Sequence, residues 1–426
     1  MSKSTRLPKL GWLARNTIGT TLWHASRVGS QLVWVLLLAR VLGASGYGSY
    51  SGIAGLAVAL GGFAGFGLGL RMYQDTARDP TLFATRWHQA SRALVWSTPA
   101  LLLLYVVLAS LMFEHPQTWM LLGVGLSEIL FAPIIAQVAA AYAAHAKVLQ
   151  AAAIPVAGSV ARVVAVVAFL LFESGQGLAL YVWLHVAAMA VCALLLRRAC
   201  MNRLLKSAPN SNLAWSDLRE GAGLSGIWAS TIAWNSMDKT FALRWGGDSV
   251  AGNFTAAQRF TGLATLPIEG LIGTALPRMF RHGAGMNEHP SMMRALFATT
   301  LGYGMIAGLA LYFVSDAIVA LLGSQFESAT PVVKLLAWCA PVSCMRILLA
   351  HWLLARGDVR ARVLLETMGL FVLACTMFVL TPERGAIGSA WALIAGECTL
   401  MLLFSARLLT YRTTASQPPS AHRSPR

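Results

Sequence analysis

Six basic side chains stand inside otherwise apolar stretches of the chain: Arg27, Arg162, Lys239, Arg259, Lys334 and Arg346. A cation at a bilayer midplane costs about 2.5 to 3.5 kcal/mol on insertion scales, so one that persists there faces a cavity or a partner. Guanidinium is permanently charged and holds two oxygens of a phosphate at once, which suits it to an anion that must cross hydrocarbon. The competing role is internal pairing with Glu128, Asp238, Glu269, Glu366 or Glu397. Arg362 and Glu366, at i, i+4, are expected to pair structurally. Arg27 lies ~15 Å into its stretch at 1.5 Å per residue, and Arg162 and Arg346 are similarly deep. Lys239, Lys334 and Arg259 lie nearer the outer ends, where long side chains snorkel to the headgroups. Asp238 is the acid that stands out, either as a structural partner or as part of ion coupling, with Glu269 after Pro267 as a second candidate. Adjacent residues are ~100° apart around a helix, so Asp238 and Lys239 are expected to face different ways. His24, His185 and His351 lack metal-ligand spacing, so neither a metal nor a cofactor is expected.

The elements carrying these residues are hydrophobic spans. The chain has 426 residues, 57% hydrophobic and 12% charged, with mean hydropathy +0.62; soluble chains carry roughly a quarter charged residues. A water-soluble protein is excluded. At ~20 to 25 residues per bilayer-spanning helix plus a connection, the length accommodates about a dozen spans and no separate soluble domain. They fall near 17–39, 48–70, 92–112, 118–141, 148–172, 177–198, 222–245, 252–277, 295–322, 331–354, 360–381 and 386–409. Gly61, Gly65 and Gly69 form a doubled Gly-x-x-x-Gly ridge expected to pack the second span closely. Pro99, Pro133, Pro155, Pro267 and Pro341 fall within spans, as kinks. The six cysteines lack Cys-x-x-Cys spacing and read as small apolar residues.

Net charge is +16. Alternate connections hold 24 basic residues on one side against only Arg40, Arg244 and Arg384 on the other, with six left inside spans. The positive-inside rule then puts both termini in the cytoplasm, and the bases, dispersed over short segments of one membrane face, give no support to a nucleic-acid partner. The linker near 199–221 divides the spans six and six, giving lobes at 1–206 and 207–410 and a Ser/Thr/Pro-rich tail, 411–426, that reads as disordered. Arg40 and Arg244, Gly43 and Gly247, and Gly48 and Gly252 share an offset of 204. An even number of spans separates the copies, so the repeat is parallel, with its axis along the membrane normal.

Two patches resemble the polysaccharide flippase branch of the multidrug/oligosaccharidyl-lipid/polysaccharide exporter superfamily. One is Leu38-Ala39-Arg40-Val41-Leu42-Gly43 followed by Tyr47-Gly48. The other is Asp238, then Gly252-Asn253-Phe254-Thr255-Ala256-Ala257-Gln258-Arg259, then Leu266-Pro267 and Leu276-Pro277. Phe254 departs from a usual tyrosine, and the chain is short for the family. The resemblance implies an all-α polytopic membrane protein with about twelve transmembrane helices in two six-helix lobes around a central cleft. It also implies flipping of a polyprenyl-(pyro)phosphate-linked oligosaccharide by alternating access, in the bacterial cytoplasmic membrane. The expected partners are that substrate, membrane lipid and a polysaccharide polymerase. Arg27 and Arg259 are placed along the cleft as phosphate-holding cations, with Arg162, Arg346 and Lys239 as further substrate-binding candidates.

Two other classes compete. A cation-coupled drug exporter of the same superfamily would favour acidic cavity residues, but the first span carries Arg27 and no carboxylate. A glycan polymerase or ligase commonly needs a sizeable outer loop, and every outer connection here is about 12 residues or fewer, so an enzyme is disfavoured.

Overall fold

The computed structural model describes residues 12–114, 116–172, 177–205, 213–281 and 290–415, and among these every regular element is helical. Hydrocarbon offers no partner to a backbone N–H or C=O, so an apolar run satisfies these groups within its own helix. In chain order the helices are α1 (Trp12–Gly61), α2 (Leu68–Arg78), α3 (Phe83–Met112), α4 (Thr118–Gly125), α5 (Ala132–Ala144), α6 (Val148–Leu171), α7 (Gly177–Leu204), α8 (Trp215–Arg281), α9 (Pro290–Leu322), α10 (Thr330–Ala337), α11 (Cys339–Ala355) and α12 (Val359–Ala415). Among the described residues seven stretches are long and apolar enough to cross a membrane, and α10 with α11, bent by 51°, make an eighth. Helices α1, α8 and α12 break at Gly43, Gly247 and Gly385. Counting each of these as two rods, and α4 with α5 as one, makes twelve and leaves only the short α2 aside. Most of the 411–426 segment lies outside the described residues.

Internal packing groups the chain into two compact units, Met1–Ser236 and Met237–Arg426, with the division inside α8. Both halves of the sequence repeat carry the same backbone device. Gly43 has φ 66°, ψ −179° and Gly247 has φ 78°, ψ −178°, a region essentially closed to side-chain-bearing residues. Arg40 and Arg244 are exposed just before each break, while Ala39 and Leu243, the residues next to them, are buried. The offset of 204 therefore marks two breaks of matching backbone conformation.

The glycine ridge of the second span does not form. Four glycines in residues 61–67 weaken the helix, and α1 stops at Gly61. Gly65 (φ 70°), Phe66 (φ 50°) and Gly67 (φ 72°) turn the chain before α2 begins, and the Gly65 N–H donates to Ser97 Oγ at 2.9 Å. Gly69 has open space where a Cβ would be. Of the three ridge positions only Gly61 packs closely, while its neighbours Gly62 and Gly67 do so outside the ridge. A Cβ on Gly61 would stand 2.7 Å from the Glu128 carbonyl, and one on Gly67 would run into that of Gly221. The small-residue packing device sits in α9 instead. There a Cβ on Gly304 would meet Pro341 Cα at 2.7 Å and one on Gly308 would meet the Ala337 carbonyl at 2.5 Å. Pro341 has no N–H to offer Ala337, which accounts for the bend between α10 and α11.

Short α2 is amphipathic, with Leu68, Met72 and Thr76 buried, and an ion network fastens it to α3 and to the start of α8. Asp217 accepts from Arg71 (2.9 Å), Arg86 (3.3 Å) and Gln89 (3.0 Å), while Arg86 also meets Asp75 (2.7 Å) and Arg71 meets Glu220 (2.5 Å). Arg71 and Arg86, counted from sequence as topology charges, thus also hold the first unit together.

Candidate functional site

Each unit contains an arginine–glutamate pair within its spans, half-buried at Arg162 in the first and buried in the second. In the first unit, Arg162 on α6 directs Nη2 to both carboxylate oxygens of Glu128, at 2.8 and 2.9 Å. Glu128 lies in a π-helical segment, Leu126–Phe131, between α4 and α5. Such a segment shifts the side-chain register by one residue relative to an α-helix and recurs at functional sites. The guanidinium carbon stands 5.4 Å from the centre of the Trp34 ring, within cation–π range. Trp34 Nε1 donates to Tyr181 Oη at 2.9 Å. Tyr181 and Tyr50 hydroxyls lie 3.3 and 2.8 Å from His185 Nδ1. Tyr50 and Tyr181 also meet edge to face at 5.3 Å. Three side chains, Tyr50 on α1 and Tyr181 and His185 on α7, therefore fix the indole beside Arg162. His185 Nε2 is buried and has no hydrogen-bond partner among the described residues.

In the second unit, Arg346 on α11 reaches Glu397 on α12 through Nε at 2.5 Å, and Arg362 reaches Glu366 at 3.0 Å. Glu366 also acts electrostatically on Arg346, so two acids and two bases form one buried group. The i, i+4 pairing of Arg362 with Glu366 is as expected. Asp238 and Lys239 correct the sequence expectation: Lys239 Nζ meets Asp238 Oδ1 at 2.8 Å, and the Lys239 side chain is only 6% exposed. The flexible four-carbon stem of lysine folds back across the 100° between neighbours, so Lys239 does not snorkel. Arg259, half-buried on α8, lies near enough to act electrostatically on Lys239. Asp238, Lys239 and Arg259 are thus brought together, and Asp238 Oδ2 remains buried without a hydrogen bond among the described residues.

The other predicted residues stand apart from these clusters. Arg27 is exposed half-way along the first rod of α1, which holds no carboxylate from Trp12 to Gly43. Glu269 is exposed on α8. Lys334 pairs with the exposed Asp316 at 3.1 Å. Among the described residues no group of three His, Cys, Asp or Glu side chains is placed to hold a metal. Sequence reasoning missed the Trp34–Tyr181–His185–Tyr50 chain. Its members are on two helices, 147 and 135 positions apart across the hydrogen bonds, and no local spacing signals it.

The family model described as "Polysaccharide biosynthesis protein" matches residues 13–282. The chain belongs to that family. No curated protein sequence matches it. Among solved structures, the lipid II flippase MurJ in an inward closed conformation is similar in fold, with TM-score 0.70 and 13% identity over 91% of this chain and 87% of MurJ. An outward-facing multidrug resistance MATE family transporter of the MOP superfamily gives TM-score 0.66 and 11% identity, over 95% and 97%. A mutant form of the Vibrio cholerae MATE transporter VcmN gives 0.62 and 14%, over 95% and 96%. The fold is shared with these proteins, and its apolar helices of spanning length make the chain a multi-pass membrane protein.

Proposed function

We propose that this chain flips a polyprenyl-(pyro)phosphate-linked oligosaccharide from the cytoplasmic to the outer leaflet of a bacterial cytoplasmic membrane. It does so by alternating access of two lobes, with both termini cytoplasmic and a polysaccharide polymerase acting on the product. The observation that carries this is Arg27, an exposed guanidinium midway along a span that contains no carboxylate. A transporter of cationic drugs has no use for a positive charge there, whereas a phosphate entering hydrocarbon requires one. Arg259 is the second phosphate-holding cation, with Lys239 beside it. Family membership and the fold shared with a lipid II flippase support a lipid-linked substrate. The strong bias of basic residues to one set of connections supports the orientation.

Depletion of the protein tests this directly. Lipid-linked glycan should accumulate on the cytoplasmic leaflet. Absence of accumulation, together with increased sensitivity to lipophilic cations, would favour drug export.

A further inference from the structure

In the second unit α9 meets α10 and the start of α11 at four successive levels. Positions 304, 308, 312 and 316 of α9 are one helical turn apart and share a face. A Cβ on Gly304 would meet Pro341, and one on Gly308 would meet the Ala337 carbonyl. Tyr312 stands against Trp338, with ring centres 6.2 Å apart, and Asp316 pairs with Lys334 at 3.1 Å. The partners fall in number as α9 rises, so the two segments are antiparallel. Along this ladder the chemistry changes from glycine and proline, through two aromatic rings, to an ion pair. Because Gly308 has no side chain, the first levels leave a shallow apolar groove lined by Met305, Leu309, Tyr312, Trp338 and Pro341. From Gly308 to Asp316 the groove and its charged end extend roughly 12 Å at 1.5 Å per residue.

The surroundings identify what lies over the groove. Helix α9 has spanning length, and Ile306 and Phe313, next in sequence to two lining residues, are exposed, so the groove opens on hydrocarbon. Tyr and Trp concentrate at the level of lipid headgroups, and here they separate the groove from the ion pair. The Lys334 and Asp316 side chains are 35% and 70% exposed. We infer that the groove takes one acyl chain of a phospholipid with a primary-amine headgroup, whose phosphate meets Lys334 and whose ammonium meets Asp316. An exposed ion pair contributes only about 0 to 1 kcal/mol, so exchanging its partners costs little, and each new contact is a charge-assisted hydrogen bond. A purely anionic headgroup satisfies Lys334 but meets repulsion from Asp316. The chain, lying against Trp338 and Pro341, braces the 51° bend between α10 and α11.

The test uses purified full-length protein, delipidated in detergent and returned to an equimolar mixture of phosphatidylethanolamine and phosphatidylglycerol, with bound lipid read by native mass spectrometry. The wild type should retain phosphatidylethanolamine about fivefold over phosphatidylglycerol, the scale of one charge-assisted contact. Asp316→Asn should abolish that preference, and Lys334→Gln/Asp316→Asn should weaken retention of phosphatidylethanolamine further. Both side chains are exposed, so these variants should fold. Leu309→Trp fills the groove and should lower phosphatidylethanolamine retention without loss of folded protein. Equal retention of the two lipids by the wild type, or undiminished retention in folded Leu309→Trp, would overturn the inference. Displacement of phosphatidylethanolamine by equimolar farnesyl pyrophosphate would also overturn it, making the groove a site for an isoprenoid chain. A dimer of the wild type that Leu309→Trp abolishes would overturn it in favour of a second copy of this chain.

Discussion

Arg162 in the first unit meets its glutamate end-on, is nearly a quarter exposed and rests on a fixed indole ring. Arg346 in the second meets Glu397 through Nε, is 10% exposed and has a second acid, Glu366, within electrostatic reach. The residue types match, but the surroundings do not. A guanidinium with open donors and partial exposure can exchange partners, whereas one enclosed among two acids and a further arginine is part of the packing. An intramembrane arginine beside a glutamate thus indicates neither function nor structure until the number of donors in use is known.

Removing one member of the enclosed group should have the largest effect. Arg346→Leu takes from buried Glu397 its guanidinium partner, and breaking a buried pair typically costs about 3 to 5 kcal/mol. Folded protein should be lost on size-exclusion chromatography, and Arg346→Leu/Glu397→Leu should recover it. Equal instability of Arg162→Gln and Arg346→Leu would break the contrast between the units. The two glycine breaks offer the opposite comparison, because their backbones match. Gly43→Val and Gly247→Val each place a side chain in a glycine-only region and should each cost about 1 to 3 kcal/mol, read as similar drops in melting temperature. A drop in only one would show that the repeat is not energetically equivalent.

Smaller effects sharpen the account of the first unit. Gly61→Ala puts a methyl 2.7 Å from the Glu128 carbonyl. It should displace the π-helical segment at a cost of about 1 to 2 kcal/mol, on the scale of overpacking, and reduce flipping per folded molecule. Gly69→Ala, with open space, should be neutral in both respects. The smallest change concerns Asp79, whose carboxylate accepts from the Thr81 hydroxyl at 2.6 Å and amide at 2.9 Å and is held below the usual carboxylate range by those bonds. A depressed native value stabilises the turn above the ordinary carboxylate range, and the contribution is lost as pH falls through the native value. Amide protection at Thr81, corrected for intrinsic exchange, should therefore decline below about pH 4, and Asp79→Asn should lose that pH dependence.

Much of the architecture was legible because hydrocarbon imposes simple rules: apolar runs of spanning length become helices, and Gly43 and Gly247 stood out through a shared offset. The glycine ridge misled because Gly61, Gly65 and Gly69 satisfy a helical spacing that the intervening Gly62 and Gly67 undermine. Spacing presumes the helix it is used to infer. Candidate cations were legible as charges in apolar surroundings, and Glu128 and Glu397 as possible partners, but partner choice depends on which helices pack together. Fold-back of Lys239 onto Asp238 depends on side-chain flexibility that a helical wheel omits. The aromatic chain behind Arg162 joins α1 to α7 and is invisible to any local pattern.

Flipping itself is the most direct test. Proteoliposomes containing wild-type protein should translocate a polyprenyl-pyrophosphate-linked oligosaccharide faster than protein-free vesicles. Arg27→Ala and Arg259→Ala, normalised to folded protein, should each fall to the protein-free rate. Full activity of both variants would remove these arginines as the phosphate site, and a wild-type rate no faster than that of empty vesicles would contradict the assignment of a lipid-linked glycan as substrate.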